Sequence, residues 1–582
     1  MKSLFKLISF LKPYWLPAVL APLLMVLEVA MDLQQPRYQQ ILVDVGIAHH
    51  DQAFVLQTCL RMIGVAGLGV IGGVGCTIFS TIAALNFGTA IRDRLFTHIQ
   101  RFSFGNLDRL QTGSLITRLT NDVDQVQEAA LMFLRILVRA PLLTIGSLIM
   151  ALLIAPRLTL LLLVISPLLI AMLFFINRQA HPLFTAMQER LDGVNAIVQE
   201  NLSGVRVVKA FVRASFENTR FAAANTALSA QTVTAMTMVA GIMPGMMLLL
   251  NLGVAGALWF GGVAVHAGTL PVGHLLAFVN YLFQMLGSLA MVGMLLMRVV
   301  RADASAERIL EVLQSVPEVQ DAPEAVTVTT AQGALAFDGV GYGYDGPTGT
   351  PVLTDITFSI SAGQTAVILG ATGAGKSTLV HLIPRLYDVT AGRILLDGAD
   401  IRSLTQDSLR QQIAIVLQDT VLFSGTIRDN LRYGRPEATD TELEDAARMA
   451  CAHEFITGFP DGYDTALGQR GVNLSGGQKQ RLSIARALVA RPTLLILDDC
   501  TSALDMVTEA KILTALRTWS HHCTHLLVAQ RIGAALTADL VLVLDGGRLA
   551  AAGDHQTLWR TSTVYQEIVR SQRAGQEVDD VH

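Results

Sequence analysis

The sequence predicts an α-helical, six-span transmembrane domain followed by an α/β domain. The first observation is composition: 52% of the 582 residues are hydrophobic, 15% are charged, and the mean hydropathy is +0.47. The chain is therefore more apolar and less charged than an ordinary soluble protein. The second observation is a set of long apolar segments in the first half. The third is the stretch GATGAGKST at Gly370–Thr378, which has the spacing of a phosphate-binding loop.

Six apolar segments are each long enough to cross a bilayer core, which needs roughly 20 residues. Basic residues are concentrated in the long connections between the second and third segments and between the fourth and fifth. Because basic connections stay on the cytoplasmic side, both termini and the second half of the chain are predicted to be cytoplasmic. The segments are Trp15–Gln35, Leu60–Phe87, Met132–Ala155, Leu158–Ile176, Ala235–Val263 and Leu275–Val299.

The two long cytoplasmic connections keep a helical periodicity, so we expect them to be extensions of the spans. A short segment at each tip, near Asn106–Gly113 and Gly204–Val212, is expected to press on a cytoplasmic domain. The amphipathic N-terminal stretch MKSLFKLISFLKPYW predicts an interfacial helix before the first span rather than a cleaved signal peptide.

Charged residues are rare inside the predicted spans. Arg135 and Arg139 lie in the opening turns of the third span, from which their side chains can extend to the cytoplasmic interface. Glu28 and Asp32 lie on one face of the first span, where an ionised carboxylate is costly unless it faces a cavity or a partner. Two interpretations stay open: a binding site for cationic substrates, or a structural hydrogen bond at the wet end of a helix.

Charge and cysteine usage disfavour other classes of function. A net charge of −4 gives no basic excess with which to bind nucleic acid. The five cysteines are scattered without C-x-x-C spacing, so neither a zinc site nor a disulfide framework is indicated.

The phosphate-binding loop carries the first set of candidate site residues. Its glycines let backbone N–H groups curl around a phosphate without obstruction by Cβ atoms. Lys376 can reach the β- and γ-phosphates, and the Ser377 hydroxyl can bind Mg²⁺. A helix that opens at Lys376 adds its free N–H groups. The candidate ATP-binding residues of the loop are Gly370, Thr372, Gly373, Ala374, Gly375, Lys376, Ser377 and Thr378.

Three further positions complete the predicted nucleotide site. Asp498 ends the apolar run Leu494–Leu497, where an acid can hold Mg²⁺ beside the phosphate loop, as in a Walker B motif. Gln418 follows the run IAIVL and offers an amide oxygen to the metal or to the attacking water. Tyr344, in YGYD, is either a stacking partner for adenine or a tyrosine on a sheet surface.

A second phosphate-binding end is predicted at Leu474–Gln478. It reads LSGGQ and opens the helix-like stretch KQRLSIARAL, so glycines and a serine stand at a helix N-terminus. Two such ends in one domain are hard to use on one nucleotide unless a second copy faces the first.

These motifs resemble the ATP-binding cassette (ABC) superfamily, and six spans ahead of them resemble its exporter-type half-transporters. The resemblance divides the chain into a transmembrane domain (1–303), a linker (304–332) and a nucleotide-binding domain (333–574), followed by a tail (575–582) that we expect to be disordered. In that family two chains form a domain-swapped dimer with head-to-tail cassettes. The resemblance implies that Ser475, Gly476, Gly477 and Gln478 act on ATP held by a partner chain, and that the two short tips are coupling helices.

Three positions depart from the family's pattern. The glutamate base after Walker B is Asp499 here, the switch histidine is Gln530, and Gln469 replaces an acid before the signature. Asp499 is shorter by one methylene, about 1.5 Å, and a misplacement near 1 Å can cost on the order of 10²-fold in rate. Gln530 can donate a hydrogen bond but cannot carry a proton as an imidazolium does. ATP binding should survive while hydrolysis is weakened.

This pattern resembles heterodimeric bacterial multidrug exporters, in which one chain has weakened bases and an intact signature and its partner has the reverse. The resemblance implies one half of an ATP-driven heterodimeric exporter of amphipathic small molecules in a bacterial-type inner membrane, with ATP and Mg²⁺ as ligands. A lipid flippase, an importer built on the exporter frame, and an ATP-gated channel or regulatory subunit stay as alternatives.

Overall fold

The chain divides into two compact units, each described here by itself. A computed structural model describes residues 2–346, 349–519 and 523–579. One unit comprises Met1–Gln100 with Gly113–Ser315, and the other comprises Arg101–Thr112 with Val316–His582. The division at Ser315 falls within the segment 304–332 that the sequence suggests as a linker, and the residues up to Gln314 belong to a helix.

The described residues of the first unit form helices joined by short connections. A π-helical segment at Leu42–Ile47 continues the first span, and a second at Arg118–Asp122 leads into the third. The helices of this half of the chain are α1 (Lys2–Leu7), α2 (Trp15–Ile41), α3 (Gln52–Ile99), α4 (Phe104–Leu110), α5 (Thr112–Thr117), α6 (Val123–Ile154), α7 (Pro156–Ser203), α8 (Val205–Ala210), α9 (Ala214–Ala240), α10 (Ile242–His266) and α11 (Val272–Gln314).

Among the residues that the structure describes, six helical stretches are long and apolar enough to cross a membrane, as the sequence predicts. Five of them have 43 residues or more, whereas Val272–Val292 has 21. Helices α3 and α7 each have 48 residues, or about 72 Å at 1.5 Å per residue, which greatly exceeds the thickness of a bilayer core. The prediction that the two long basic connections are largely extensions of the spans is therefore confirmed. The stretches are Ser3–Ile47, Gln52–Ile99, Thr112–Ile154, Pro156–Ser203, Ala214–His266 and Val272–Val292.

Small residues allow α2 and α3 to pack closely. Gly69, Gly72 and Cys76 recur at helical spacing on α3, and all three are buried. A Cβ atom added to Gly72 would lie 2.9 Å from the carbonyl oxygen of Leu24 and from the backbone nitrogen of Glu28. Close backbone approach at glycine is typical of helix pairs in membranes, and here it fixes the position of Glu28 against α3.

Short helices occur at both predicted tips. The first, α4, belongs to the second unit, where the Tyr387 hydroxyl donates a hydrogen bond of 2.7 Å to Asp108 Oδ2. The Asn106 side chain also donates to the carbonyl of Val316, at 3.1 Å. The expectation that this tip packs on the second domain of the chain is therefore confirmed for α4. The second tip, α8, lies in the first unit, and Phe211 immediately after it is exposed.

The second unit is an α/β domain, as the sequence predicts. Its strands are β1 (Leu335–Tyr342), β2 (Leu353–Ile360), β3 (Thr365–Gly370), β4 (Ala391–Leu396), β5 (Ala399–Asp400), β6 (Ile413–Val416), β7 (Gly425–Thr426), β8 (Ala466–Leu467), β9 (Leu494–Asp498), β10 (Thr524–Val528), β11 (Leu540–Asp545) and β12 (Arg548–Gly553). Besides α4, its helices are α12 (Lys376–Leu382), α13 (Gln406–Gln412), α14 (Ile427–Arg432), α15 (Asp440–Met449), α16 (His453–Thr457), α17 (Gly476–Val489), α18 (Met506–Trp519), α19 (His555–Thr561) and α20 (Thr563–Asp579).

Two main sheets organise this unit. The larger has the order β12-β11-β3-β10-β9-β6, in which all strands except β12 pair in parallel. The smaller is antiparallel, in the order β2-β1-β4-β5. The continuous apolar runs of β3, β9 and β10 suit a parallel sheet that is covered on both faces. Ligands bind such sheets at the carboxyl ends of the strands, where Gln418, Asp499 and Gln530 follow β6, β9 and β10.

The C-terminal tail differs from the expectation of disorder. Helix α20 continues to Asp579, so residues 575–579 are helical rather than disordered. Gln576 and Glu577 are good helix formers, and no proline interrupts the stretch, so the helix passes through Gly575 at a cost of only about 1 kcal/mol. Residues 580–582 of the expected tail lie outside the described residues.

Candidate functional site

The phosphate-binding loop connects β3 to α12, as predicted. Gly373 and Gly375 adopt φ angles of +85° and +92°, in the left-handed region that glycine tolerates best. A Cβ atom at Gly375 would lie 2.7 Å from Leu353 Cδ2. Lys376 opens α12, and its ammonium donates to the carbonyls of Gly370 and Ala371, both at 2.9 Å. The backbone is thus curled in the manner that a phosphate requires.

A cavity of about 360 Å³ lies beside this loop. It brings together residues that are far apart in the sequence and that we predicted separately, including Lys376, Gln418 and Gln530. Desolvation lowers the pKa of Lys376, although Asp499 and Asp498 oppose that shift. The lining residues are Val352, Thr372, Gly373, Gly375, Lys376, Ser377, Thr378, Gln418, Asp499, Val528 and Gln530.

Oxygen ligands suited to Mg²⁺ meet at one side of the loop. The Ser377 hydroxyl donates to Asp498 Oδ1 at 3.0 Å, and Asp498 is only 1% exposed. Hydroxyl and carboxylate oxygens fit a hard cation such as Mg²⁺, and Gln418 lines the same cavity as Ser377. His381 was missed at the sequence level: its Nε2 atom lies 3.5 Å from Asp498 Oδ2. Its place four residues after Ser377, on the same helical face, is the signal that would have found it.

Asp499 accepts hydrogen bonds from both neighbouring amides. Gln530 Nε2 donates to its Oδ2 atom at 2.6 Å, and Gln418 Nε2 donates to the same atom at 3.4 Å. Burial raises the pKa of Asp499, and the hydrogen bond from Gln530 opposes that shift. Asp499 also has a left-handed φ of +47°, which aspartate tolerates better than most residues.

Tyr344 lies beside the phosphate-binding loop and is half-exposed. Its hydroxyl is 3.0 Å from Thr378 Oγ1. Its ring makes edge contacts with Tyr342 and Tyr387, at centroid distances of 5.1 and 5.6 Å. The ring is thus held on one side by other aromatic rings, and adenine stacking on it stays a prediction.

The signature LSGGQ forms a helix N-terminus, as predicted. Ser475 is the N-cap of α17: its Oγ accepts from the backbone N–H of Gln478 at 3.3 Å, and Gln478 Oε1 accepts from the Ser475 N–H at 2.8 Å. Gly477 approaches the next loop so closely that an added Cβ would lie 3.1 Å from the Ala503 carbonyl oxygen. None of these signature residues lines the cavity beside Lys376.

Glu28 and Asp32 share one partner in the first unit. Arg139 on α6 forms an ion pair with Glu28 through one terminal nitrogen and with Asp32 through the other, at 2.9 Å. The expectation that Arg139 extends to the cytoplasmic interface is wrong, because two carboxylates on α2 hold its guanidinium. The ion pairs with Arg139 therefore support the structural interpretation of Glu28 and Asp32. A cationic substrate could bind the two carboxylates only by displacing Arg139.

Two cavities lie on either side of Glu28. The larger, of about 710 Å³, is lined by Glu28, Arg135 and Arg139 among mostly apolar side chains. The smaller, of about 470 Å³, is lined by Glu28 and Asp32. The charged lining of the larger cavity is therefore mainly positive, and that of the smaller cavity is negative.

Comparison with known families identifies both halves of the chain. A family profile described as ABC transporter transmembrane region matches residues 19–289. A second profile, described as ABC transporter, matches residues 353–502.

Similar proteins match over nearly the whole length. "Uncharacterized ABC transporter ATP-binding protein YfiB" of Bacillus subtilis is 42% identical over 98% of this chain and 99% of its own length. "ATP-dependent lipid A-core flippase" of Syntrophus aciditrophicus is 34% identical over 87% of this chain and 85% of its own. A solved structure of a bacterial Atm1-family ABC exporter with ATP bound has a TM-score of 0.81 at 30% identity, and the match covers 96% of this chain and 98% of that one.

Proposed function

Because this chain belongs to the ABC transporter family, as a multi-pass membrane protein with an ABC ATPase domain, we propose that it is one half of a heterodimeric ATP-driven exporter. It moves amphipathic small molecules out of the cytoplasm or the inner leaflet of a bacterial-type inner membrane. Both termini and the ATPase domain lie on the cytoplasmic side. The partner is a second half-transporter that supplies the complementary set of motifs.

The chain's own nucleotide site binds ATP. The loop Gly370–Thr378 holds the phosphates, and Tyr344 stacks on the adenine. Ser377, Asp498 and Gln418 hold Mg²⁺, which when bound neutralises charge on the phosphate oxygens. Two observations support this assignment: Ser377 and Gln418 line the 360 Å³ cavity together with the loop, and the Ser377 hydroxyl donates a hydrogen bond to Asp498.

The observation that carries the proposal is the hydrogen bond between Asp499 and Gln530. At the position of the general base, a carboxylate that is one methylene short is held by an amide at 2.6 Å. That amide cannot carry a proton as an imidazolium does. The site therefore retains ATP while orienting water poorly for attack.

The signature acts on the partner's ATP. Ser475 and the N–H groups of Gly476 and Gly477 close on the partner's γ-phosphate, and Gln478 positions them through the cap. Removing one preorganised donor of this kind typically lowers a rate by on the order of 10²–10³. The partner is expected to carry a glutamate after Walker B, a switch histidine, and a signature that departs from LSGGQ.

Steady-state ATPase of the purified heterodimer tests the assignment of roles. Ser475→Ala should lower the rate strongly, whereas Asp499→Asn should lower it only modestly, each with the wild-type partner. Ser475→Thr is the control, because it keeps an oxygen at the N-cap, whose loss alone costs about 1 kcal/mol. If Asp499→Asn is the more damaging change, this chain's own site is catalytic. A purified complex that contains two copies of this chain and hydrolyses ATP rapidly would also overturn the proposal.

A lipid flippase is the second candidate, favoured by the similarity to a protein named as a lipid A-core flippase. The two candidates share the ATP chemistry and differ in cargo. Reconstituted vesicles distinguish them, because a flippase moves labelled lipid between leaflets whereas an exporter accumulates water-soluble amphiphiles. ATP-gated ion conductance without hydrolysis would instead identify a channel subunit.

A further inference from the structure

The larger cavity of the first unit combines an apolar wall with the guanidinium group of Arg135, which has no hydrogen-bond or ion-pair partner among the described residues. It lies among α2, α3 and α6 and holds about 710 Å³, within the range of small-molecule sites. Met25, Val74, Ile78 and Ile136 are among its apolar lining residues. Such a wall suits the hydrocarbon part of an amphiphile.

Arg135 and Arg139 lie one turn apart on the same face of α6, and both line this cavity. Arg139 is held by Glu28 and Asp32. Arg135, in contrast, makes no hydrogen bond or ion pair with any other residue that the structure describes. A charged side chain beside hydrocarbon is expensive unless it meets water or a counter-charge, so an anionic group in the cavity would be stabilised by Arg135.

The charges nearby indicate which sign of ligand is favoured. The carboxylate of Glu28 is already engaged by Arg139, and Asp32 lines the smaller cavity instead of this one. The charged lining of the larger cavity is therefore two guanidinium groups and one paired carboxylate. A cation would meet Arg135 with repulsion, whereas an anion would supply the missing partner.

We propose that this cavity binds an amphiphile with an anionic head, and that Arg135 is the residue that recognises the head. The hydrocarbon part lies against α2, α3 and α6. The anionic group can belong to a bilayer lipid or to a water-soluble amphiphile, since the two offer the same chemistry to Arg135. This inference rests on the proposed exporter function, because only in an exporter would the cavity hold the transported substrate.

Binding to the complete complex, held with its partner in nanodiscs of phosphatidylcholine, tests the inference. The probes are a dansyl-labelled undecanoic acid, its neutral amide, and the corresponding amine. The acid should bind about tenfold more tightly than the amide, as expected for one charge-assisted hydrogen bond. Arg135→Gln should remove that difference, and Arg135→Lys should keep most of it. Arg178→Gln, at an exposed arginine of α7 outside the cavity, should change nothing.

Retained binding of the amide and of an ATP analogue shows that the Arg135→Gln complex is folded. Equal affinities for the acid and the amide in the wild-type complex would overturn the inference. So would tightest binding of the amine with loss in Asp32→Asn, because the carboxylates would then select the ligand. Addition of phosphatidylglycerol separates the sources: competition with the probe supports a bilayer lipid as the anion, and absence of competition supports a water-soluble amphiphile.

A second measurement distinguishes failure of the anion site from failure of the exporter assignment. ATP-driven transport is measured on the same preparation in vesicles. Selective binding of the acid without any transport would overturn the exporter assignment and leave the anion site standing. Transport that ignores the charge of the probe would overturn the anion site alone.

Discussion

The side chain of Gln572 bonds to the backbone at Gln530, the predicted switch position, and at Ile532. Its Nε2 atom donates to the Gln530 carbonyl at 2.6 Å, and its Oε1 atom accepts from the N–H of Ile532 at 2.7 Å. Gln572 lies on α20, the C-terminal helix of the ATPase domain. The C-terminal helix therefore fixes the loop that supplies an amide to Asp499.

Removal of this clamp should loosen the switch loop without unfolding the domain. In Gln572→Ala, we expect hydrogen exchange at the Ile532 amide to accelerate about tenfold, since a hydrogen bond contributes about 1 kcal/mol. Mass-spectrometric hydrogen exchange on the full complex measures it. Gln566→Ala is the matched control, because Gln566 bonds the carbonyl of Trp559 on the same helical hairpin. Equal acceleration in both variants would mean general fraying of α20.

Restoration of the family's base and switch should activate this chain's own ATP site. We expect Asp499→Glu combined with Gln530→His to raise its hydrolysis rate by on the order of 10²-fold, because the carboxylate regains about 1.5 Å of reach. The rate is measured with a partner whose own phosphate-loop lysine is replaced and whose signature, which faces this chain's ATP in the proposed dimer, is restored to LSGGQ. Asp499→Glu alone should give less, since glutamate tolerates the left-handed φ of +47° less well. No gain in the double variant would show that other features silence the site.

The contact between Tyr387 and Asp108 links the predicted adenine site to the tip helix α4. The Tyr387 ring touches Tyr344, and its hydroxyl donates to Asp108 at 2.7 Å. Burial and the neighbouring Asp108 raise the pKa of Tyr387, so the hydroxyl keeps its proton at neutral pH. In Tyr387→Phe we expect substrate stimulation of ATPase to fall about threefold or more, with ATP affinity unchanged within about twofold.

The control for this prediction is Tyr463→Phe, which removes a hydroxyl that is 2.9 Å from the ring of His453. Asp108→Asn should reproduce the effect of Tyr387→Phe in part, because an amide oxygen can still accept the hydrogen bond. Loss of ATP affinity in Tyr387→Phe as large as the loss of stimulation would assign the tyrosine to nucleotide binding instead.

Acid should destabilise the ATPase domain through His525. Burial lowers the pKa of this β10 residue to about 4, whereas an unfolded histidine titrates near 6.5. As the pH falls, the unfolded state therefore binds a proton at His525 before the folded state does. The contribution of neutral His525 to folding stability is fully present above about pH 6.5 and is lost as the pH falls toward about 4. The expected loss is about 3 kcal/mol across that window. Thermal inactivation of ATP-analogue binding at several pH values measures it.

His525→Gln removes the titrating group and should flatten this pH dependence, whatever it does to the midpoint at neutral pH. The ion pair of Arg393 with Asp338, which is exposed on the smaller sheet, supplies the control: Arg393→Gln should leave the slope unchanged. A slope that persists in His525→Gln would assign the acid sensitivity to other groups.

Much of the ATP site could be predicted because its chemistry resides in consecutive residues. The loop that ends at Lys376, the acid at Asp498 and the N-cap at Ser475 each carry a local pattern, and each forms the element that the pattern predicts. The partners of membrane carboxylates carry no such pattern. Glu28 and Arg139 are separated by 111 positions, and only the packing of α2 against α6 shows that they meet.

The membership of α4 in the second unit was also hard to predict in detail. Its sequence indicates a short helix, but the acceptor on Asp108 and the donor on Tyr387 are separated by 279 positions. The extent of α20 was wrong in the sequence prediction because charge and polarity were weighed above helix propensity. Local composition is a weak guide where a helix simply continues.

The ion pairs of Arg139 with Glu28 and Asp32 restrict how this membrane domain can drift during evolution. Loss of the arginine alone would leave two carboxylates facing each other beside hydrocarbon, and loss of both carboxylates would leave a bare cation. Replacing all three residues with neutral ones avoids both unpaired states. A series of single mutations, however, must pass through a variant with an unpaired charge, which is destabilised. Homologous chains that lack the arginine should therefore also lack at least one of the two acids, so substitutions at the three positions should be correlated.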